Sequence, residues 1–193
     1  MEIKTLCFAT NNQHKLEEVK LMLPDNIRLL SLKEIGFNGE LPENQRTIEG
    51  NAIEKARFLF EKFNIDCFAD DSGLEVDALN GLPGVDTAHY AGPERDQIKN
   101  MDLLLKNLEG KPNRSARFKT VFALFWQGEM YEFSGLVLGS IGFEKKGENG
   151  FGYDPIFIPD GFSETFAELG PEVKNKMSHR AMATRQLVDF MLF

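Results

Sequence analysis

The chain has 193 residues, of which 42% are apolar and 27% are charged, with a formal net charge of −8 and a pI near 5.0. A domain of this size buries a sizeable apolar core, so it needs neither disulfides nor a structural metal to fold. The acidic balance disfavours a protein that binds duplex nucleic acid, because such proteins usually present a basic face.

Two cysteines, Cys7 and Cys67, each lie inside an apolar, strand-like run. Two cysteines without suitably spaced histidines make neither a disulfide framework nor a zinc site, so we expect buried, reduced thiols. No apolar run approaches the roughly 20 residues that span a bilayer. Residues 1–6 also lack the pattern of a signal peptide. We therefore expect a soluble, cytoplasmic protein.

In the first half of the chain, apolar runs alternate with helical patterns. Short apolar runs predict strands at 2–9, 27–31 and 65–69. Helix-period apolar positions predict helices at about 13–23, 47–63 and 94–108. In the third helix, Ile98, Met101, Leu105 and Leu108 are in register. Between the first two helices, residues 36–46 carry the Gly, Asn and Pro that are typical of a loop.

In the second half, the apolar pattern changes to period two. Residues 116–126 alternate, and their neighbours are also apolar, so the middle of this strand should be buried on both faces. After a break at 127–129, a second run at 130–141 completes a long hairpin. A strand at 156–158 and a helix at 178–192 close the chain. The whole pattern predicts one α/β domain, residues 1–193, with a mixed sheet.

The turn Ala9-Thr10-Asn11-Asn12 between the first strand and helix is the first candidate site. A helix N-terminus has unpaired N–H groups and a positive dipole end, so it suits a phosphate, and Lys15 could add a full charge. The residues alone leave an alternative open. Asn11 or Asn12 would then be a plain N-cap, and Lys15 a surface residue.

Asp70 and Asp71, which follow the third predicted strand, are the second candidate site. Adjacent strand residues point to opposite faces, so only one of the two should face a site. That carboxylate could hold Mg²⁺, which takes one or two carboxylates plus substrate phosphates. Glu43, or Glu40 in the same loop, could supply a second carboxylate. The alternative is a turn whose acids bind backbone N–H groups, with solvated acids in the loop.

A glycine-rich segment at 147–155 is the third candidate site. Its glycines would let the backbone approach a ligand closely. Phe151 and Tyr153 could stack on a purine, and Asp154 could accept hydrogen bonds from the edge of the base. An ordinary connection between strands, with turn glycines, is the alternative.

The segment 174–180 is the fourth candidate site. If Ser178 caps the last helix, His179 and Arg180 lie in its first turn, where positive charge opposes the helix dipole and a bound anion would relieve the conflict. The alternative is a helix that begins near Pro171 and leaves these residues on its surface.

Together, five ordered motifs make the chain resemble the inosine triphosphate pyrophosphatase family. They are Ala-Thr-Asn-Asn-x-x-Lys at 9–15, Thr-x-x-x-Asn-Ala-x-x-Lys-Ala at 47–56, Ala-Asp-Asp-Ser-Gly-Leu at 69–74, Gly-Phe-Gly-Tyr-Asp-Pro at 150–155 and Ser-His-Arg at 178–180. The resemblance covers nearly the whole chain. It implies an elongated α/β fold with two lobes around a central nucleotide-binding groove, and a homodimer. It also implies Mg²⁺-dependent hydrolysis of ITP, dITP and XTP to the monophosphate and pyrophosphate, which cleanses the nucleotide pool.

The same resemblance implies roles for individual residues. Asp71 would serve the metal and is the candidate to activate water. The second metal carboxylate would be Glu43, with Glu40 as the alternative, and Asp70 is a further candidate metal ligand. The triphosphate would be held by Thr10, Asn11, Asn12 and Lys15, with Lys55 nearby. The rest of the nucleotide would be surrounded by Ser72, Phe151, Gly152, Tyr153, Asp154, Lys174, His179 and Arg180.

Base selectivity follows from the last two of these residues. His179 and Arg180 can donate hydrogen bonds to a 6-oxo group, whereas the 6-amino group of adenine would set donor against donor, so we expect ATP to be rejected. One segment departs from the family pattern. Asp-Thr-Ala-His-Tyr at 86–90 stands where the family often has Tyr-Ser-Ala-Arg-Tyr. His89 therefore puts the contact of that arginine in doubt.

Three other functions are less consistent with these residues. The base-facing residues argue against a pyrophosphatase for modified pyrimidine or canonical nucleotides. The carboxylates at 43, 70 and 71 argue against a nucleotide sensor without hydrolysis. A nucleic-acid-binding module is disfavoured by the absence of a basic stripe.

Overall fold

The computed structural model describes residues 3–192. The chain forms two compact units. The first unit comprises the residues up to Asp71, Thr120–Gly135 and the residues from Arg180 onward. The second unit comprises Ser72–Lys119 and Leu136–His179. Among the described helices, none is long and apolar enough to cross a membrane.

Strands and helices follow one another along the chain as an α/β pattern. The strands within residues 3–192 are β1 (Lys4–Ala9), β2 (Ile27–Leu30), β3 (Cys67–Val76), β4 (Pro83–Gly84), β5 (Ser115–Trp126), β6 (Glu129–Ile141) and β7 (Phe157–Pro159). The α-helices of the same range are α1 (Gln13–Lys20), α2 (Ile48–Phe63), α3 (Gln97–Asn107), α4 (Phe166–Met177) and α5 (His179–Leu192).

The strands form one mixed sheet, as the sequence predicts. Its order is β2-β1-β3-β5-β6-β7, and β4 pairs with β3. Strand β1 pairs in parallel with both β2 and β3, whereas β4 pairs antiparallel with β3 and β7 antiparallel with β6. The predicted hairpin of β5 and β6 is confirmed. Its turn, Gln127-Gly128, has positive φ at both residues, as a two-residue type I′ hairpin turn requires.

Alternate strand residues of the first unit build two apolar layers on opposite sheet faces, because successive side chains point to opposite sides. Helix α2 covers one face, where the buried cluster includes Cys7, Ala9, Cys67, Ala69, Val121, Ala123 and Phe125. Helices α1 and α5 cover the other face, where the cluster includes Leu6, Phe8, Phe68, Phe122 and Leu124. The middle of β5 is therefore buried on both faces, as predicted.

Helix α2 agrees with its predicted range because its end signals are local. The Thr47 hydroxyl accepts the backbone N–H of Gly50 at 3.0 Å, and Asn64 ends the helix in the left-handed conformation at φ 51°.

Both cysteines are buried and free, as expected. Burial raises the pKa of each thiol to about 12.

Two elements differ from the sequence prediction. Strand β3 does not end before Asp70 but continues to Val76. Helix α4 was predicted only as the alternative that begins near Pro171, because Gly170 and Pro171 interrupt its pattern, and Gly170 has φ 77° inside the kinked helix. It ends before Ser178, so residues 178–180 are not part of it. A capping box of Thr165 and Glu168 marks the start of α4.

Helix boundaries elsewhere shift by a few residues. Helix α1 ends at Lys20 rather than near Leu23. Of the residues in register along the predicted third helix, Met101 and Leu108 are buried, whereas 61% of the surface of Ile98 is exposed. The last helix begins at His179, directly after Ser178, which ends α4 with its N–H bonded to the Lys174 carbonyl at 2.8 Å.

Aromatic rings form the core of the second unit beside β7 and α4. The ring centroid of Phe118 lies 4.5 Å from that of Phe157 and 6.4 Å from that of Phe166.

In the first unit, the single tryptophan, Trp126, ends β5 and is half-buried, with the Lys4 ammonium 6.0 Å from its ring centroid.

Candidate active site

The two adjacent aspartates of β3 face opposite sides of the sheet, and each meets a different set of cations. Asp70 continues the even-numbered series that faces α1 and α5, whereas Asp71 continues the odd-numbered series that faces α2. Both side chains are buried, at 1% and 8% exposure. Because a buried carboxylate is costly unless it is paired, ion pairs must accompany each one.

Helix α2 supplies the partners of Asp71. The ammonium nitrogen of Lys55 lies 3.3 Å from one carboxylate oxygen of Asp71 and 2.8 Å from a carboxylate oxygen of Glu43. Asn51, one turn earlier on the same helix face, donates its side-chain amide to the other oxygen of Asp71 at 3.3 Å. The loop acid and the strand acid therefore converge on one cationic nitrogen.

Burial and charge act against each other at this cluster. Burial raises the pKa of Asp71, and the neighbouring ammonium groups of Lys55 and Lys15 offset only part of that rise. Burial alone would lower the pKa of Lys55, but Asp71, Asp70 and Glu43 together raise it above its usual value. Lys55 is therefore held as a cation between the two acids.

On the opposite face, Asp70 lies between two cations. Its carboxylate is 2.8 Å from the Lys15 ammonium of α1 and 3.4 Å from the Arg180 guanidinium of α5. Arg180 also donates to Glu18 at 2.6 Å. Burial would raise the pKa of Asp70, but the two cations outweigh it and hold that pKa well below its usual range. Burial lowers the pKa of Lys15, and the negative charge of Asp70 offsets only part of that decrease.

The start of α1 lies beside the ion pair of Lys15 and Asp70. Asn12 is its N-cap, with a side-chain oxygen that accepts the backbone N–H groups of His14 at 3.0 Å and Lys15 at 3.3 Å. The Thr10 hydroxyl accepts the Asn12 backbone N–H at 3.1 Å. Asn11 donates its amide to the Gly39 carbonyl at 3.3 Å. The N-cap alternative is thus realised, yet Lys15 is paired with a buried acid rather than solvated.

A second cluster, within the second unit, is centred on Asp154. Its carboxylate accepts the Lys174 ammonium at 2.7 Å and the Phe151 backbone N–H at 2.9 Å. The same ammonium lies 4.4 Å from the ring centroid of Phe151. A Cβ at Gly150, where φ is +79°, would overlap the Asp154 carboxylate, so this close turn requires glycine.

The remaining predicted nucleotide residues of the second unit lie around this turn, in β3 and at the start of α5. Gly152 donates its N–H to Gln97 at 2.8 Å. Tyr153 is buried and donates its hydroxyl to the Thr87 carbonyl at 2.9 Å, and burial raises its pKa. Ser72 is half-buried in β3. His179, which is 5% exposed, stacks on Phe118 with centroids 4.8 Å apart and planes 9° apart.

The donor set around Lys55 fits a magnesium ion. Within residues 3–192, no group of three or more His, Cys, Asp and Glu side chains is placed to hold a metal. Two carboxylates that converge on one cation suffice for Mg²⁺, because this ion usually takes one or two carboxylates and completes its shell with water and phosphate oxygens. Of the two loop acids, Glu43 fits the second position better, because its carboxylate contacts the Lys55 ammonium beside Asp71 at 2.8 Å.

Three side chains that bind these charged groups or the loop after Glu43 were not assigned from the sequence. Asn51 binds Asp71, Glu18 binds Arg180, and Glu54 accepts the Asn44 backbone N–H at 2.7 Å. The spacing of four residues between Asn51 and Lys55 was the available signal, since it places both on one helix face. Glu18 carried no such signal, because its partner lies 162 positions away.

The departure at 86–90 has a local structural outcome. His89 ends a short 3₁₀ segment, Thr87–His89, and its Nε2 lies 3.2 Å from the Asp86 carboxylate. Both side chains are substantially exposed, at 43% and 56%. This contact therefore adds little to stability.

Comparison with known proteins identifies the family. The sequence profile of the Ham1 family matches residues 6–190. A dITP/XTP pyrophosphatase from Flavobacterium johnsoniae is 52% identical over 186 residues, which cover 96% of this chain and 97% of that protein. The Ham1 protein of Staphylococcus aureus is 38% identical with a TM-score of 0.89, and a HAM1 protein from Coxiella burnetii is 35% identical with a TM-score of 0.91. Each alignment covers 98% of this chain, with 98% and 99% of the respective relatives. These matches confirm the family that the five motifs indicated, and the chain belongs to the Ham1 family.

Proposed function

We propose that the chain hydrolyses ITP, dITP and XTP to the monophosphate and pyrophosphate, with Mg²⁺ as cofactor. Relatives at 46–52% identity over nearly the full length are dITP/XTP pyrophosphatases, which supports this reaction with dITP and XTP; ITP follows from the family resemblance. The observation that carries the mechanism is the convergence of Asp71 and Glu43 on one cationic nitrogen at 3.3 and 2.8 Å. It supports a cation site at the acids that the family resemblance assigns to the metal.

In this proposal, the first unit holds the phosphates and the metal. Asp71 and Glu43 bind Mg²⁺, and Asp70 is a further candidate ligand, although its carboxylate already pairs with Lys15 and Arg180. Mg²⁺ held by these carboxylates would offset charge on the phosphate oxygens and would lower the pKa of water. The ammonium groups of Lys15 and Lys55 place positive charge near the phosphate oxygens of the triphosphate. Thr10, Asn11 and Asn12 supply hydrogen bonds at the start of α1.

The Asp154 cluster is assigned to the base. Phe151 offers a ring face for stacking, Asp154 accepts hydrogen bonds, and Lys174 pairs with that buried carboxylate at 2.7 Å. The family resemblance also assigns Ser72, Gly152, Tyr153, His179 and Arg180 to the nucleotide. Of these, Arg180 belongs to the first unit, where it pairs with Glu18 and Asp70. The family resemblance also supports a homodimer, which light scattering after gel filtration tests. The two free thiols support a cytoplasmic location.

The reaction is tested with purified protein, Mg²⁺ and a panel of ITP, dITP, XTP, dTTP and ATP, while pyrophosphate and orthophosphate are followed separately. We expect pyrophosphate from the first three substrates, little from ATP, and loss of activity in Asp71→Asn. Asp25→Asn is the matched control, because Asp25 is an exposed acid in the loop before β2. It should behave as wild type. Omission of Mg²⁺ should abolish pyrophosphate release.

Other outcomes would contradict the proposal in distinct ways. Orthophosphate as the first product would mean cleavage at the outer phosphates. Preference for dTTP would favour a pyrimidine or canonical nucleotide pyrophosphatase. Tight nucleotide binding without any product would favour a sensor.

Base selectivity is tested through Arg180→Ala. The proposal predicts that the variant narrows the ratio of kcat/KM for ITP to that for ATP, because a donor to the 6-oxo group is lost. The ratio is compared with that of wild type, so that a general loss of activity cancels. An unchanged ratio would remove Arg180 from base recognition.

A further inference from the structure

The loop that carries Glu43 is held against α2 by two side chains of that helix. Asn44 donates its backbone N–H to Glu54 at 2.7 Å and its side-chain amide to the same carboxylate at 3.1 Å. Gln45 donates its backbone N–H to Asn51 at 2.9 Å and its side-chain amide to Glu54 at 3.3 Å. The two loop residues that follow Glu43 are therefore fixed by residues on one side of the helix.

A glycine at the start of α2 allows this close approach. A Cβ at Gly50 would lie 2.8 Å from the Gln45 Cβ and 2.9 Å from the Thr47 hydroxyl oxygen. Real Cβ atoms are not found this close to other atoms, so a side chain at position 50 would push the loop off the helix. The loop therefore packs against α2 where Gly50 has no side chain, and the side chains of Asn51 and Glu54 accept its backbone N–H groups.

Asn51 links the loop to the strand acid. Its Oδ1 accepts the Gln45 backbone N–H at 2.9 Å, while its Nδ2 donates to the Asp71 carboxylate at 3.3 Å. It is 3% exposed, so neither bond competes strongly with water. One amide therefore bridges the two segments that carry Glu43 and Asp71.

We propose that Asn51 and Glu54 are positioning residues, which keep the carboxylates of Glu43 and Asp71 facing a common cation position. The inference rests on the proposed function, because the cation it concerns is the Mg²⁺ of that reaction. Side chains that orient metal ligands without touching the metal commonly set affinity, and their loss weakens metal binding by about 10–100-fold.

The test uses Glu54→Ala, Asn51→Ala and the conservative Glu54→Gln, with Glu61→Ala as the matched control on the exposed face of α2. Two quantities are measured: the Mg²⁺ concentration for half-maximal pyrophosphate release at saturating ITP, and the Mg²⁺ concentration that produces half of the rise in Tm without nucleotide. We expect both midpoints to rise by about tenfold or more in the two alanine variants. Glu54→Gln should fall between them and wild type, and Glu61→Ala should match wild type.

The two measurements separate a positioning role from a structural one. A merely structural role would lower Tm in the absence of metal and leave both Mg²⁺ midpoints unchanged, which would overturn the inference. If Asn51→Ala does not fold, Glu54→Ala decides, because Glu54 is half-buried and its loss opens no core cavity. If wild type shows a Mg²⁺-dependent Tm but releases no pyrophosphate, the proposed function fails and the Tm midpoints still test the inference. A wild type that responds to Mg²⁺ in neither measurement overturns it.

Discussion

Neighbouring residues in one strand carry different tasks here because the period of a strand is two. Asp70 is held by Lys15 and Arg180, whereas Asp71 is held by Lys55 and Asn51. The same two-residue sequence therefore supplies two charged centres on opposite sheet faces. Substitutions at this scale should separate their contributions.

Arg180→Met should destabilise the first unit. It removes the guanidinium that pairs with the half-buried Glu18 and the buried Asp70, and it leaves both acids with fewer cations. Removal of one partner of a buried ion pair costs about 3–5 kcal/mol, and the remaining Lys15 should keep the loss near the lower end. Urea unfolding at neutral pH measures it.

The matched control is Arg185→Met, at an exposed position of the same helix. It should change the free energy of unfolding by less than about 0.5 kcal/mol. Equal losses in the two variants would show that the buried ion pairs of Arg180 contribute nothing specific to stability.

Gly50→Ala should destabilise the protein although alanine is the better helix former. The gain in helix propensity is about 1 kcal/mol at most. Overlap of the new Cβ with Gln45 and Thr47, at 2.8 and 2.9 Å, should cost about 1–3 kcal/mol. We expect a net loss in urea unfolding, together with a higher Mg²⁺ requirement. Net stabilisation would mean that the loop moves away without cost.

At the scale of elements, close packing of strands β6 and β7 depends on one glycine. Gly139 pairs with Pro159, and a Cβ there would overlap the Ile158 carbonyl oxygen and lie 2.7 Å from the Phe157 ring. Gly139→Ala should therefore lower the free energy of unfolding by about 1–3 kcal/mol. Thermal or urea unfolding measures this loss.

Gly142→Ala is the control for this element. It lies one residue beyond β6, and an added Cβ would meet its nearest neighbours at 3.5 and 3.6 Å, which is ordinary van der Waals contact. It should be tolerated within about 0.5 kcal/mol. A similar loss in both variants would mean that overlap in the sheet at position 139 is not its cause, since Gly→Ala lowers the entropy of the unfolded chain and by itself stabilises.

Elements with local signals could be predicted from the sequence, and those that depend on distant partners could not. Helix α2 carries its own cap and its own apolar face, so its range was predicted within one residue. The end of β3 was wrong because Asp70 and Asp71 resemble turn residues. Their burial depends on Lys15, Lys55 and Arg180, which are far away in sequence.

The candidate site shows the same division. Lys55 and Asp71 could be proposed from motifs, because each lies in a short ordered pattern. The hydrogen bonds from the loop to Glu54 could not be predicted from motifs, since they depend on how residues 43–45 fold back on the helix. Helix α4 could have been found from the Thr165–Glu168 capping box, despite the interruption at Gly170.

At the scale of the whole molecule, stability should fall in alkaline solution because of two thiols. Cys7 and Cys67 face each other across β1 and β3, and burial raises the pKa of each from 9.0 to about 12. The native chain keeps these protons above pH 9, whereas the unfolded chain loses them. The contribution of each protonated thiol to the free energy of unfolding is therefore complete below about pH 9. It declines by about 1.4 kcal/mol per pH unit up to about pH 12.

The double variant Cys7→Ala/Cys67→Ala isolates this effect from the titration of lysines and tyrosines. Urea unfolding of both proteins between about pH 8 and about pH 11 should give a flatter pH dependence for the variant. Parallel curves would mean that the thiols do not contribute to alkaline denaturation.

The position of the single tryptophan gives the chain a built-in optical reporter of one part of the fold. Trp126 belongs to the first unit, so its fluorescence follows the environment of that unit, whereas far-ultraviolet circular dichroism averages the helices of both. Coincident denaturation curves from the two signals would identify a single cooperative transition. Separate midpoints would assign to each unit its own unfolding step, read out without any label.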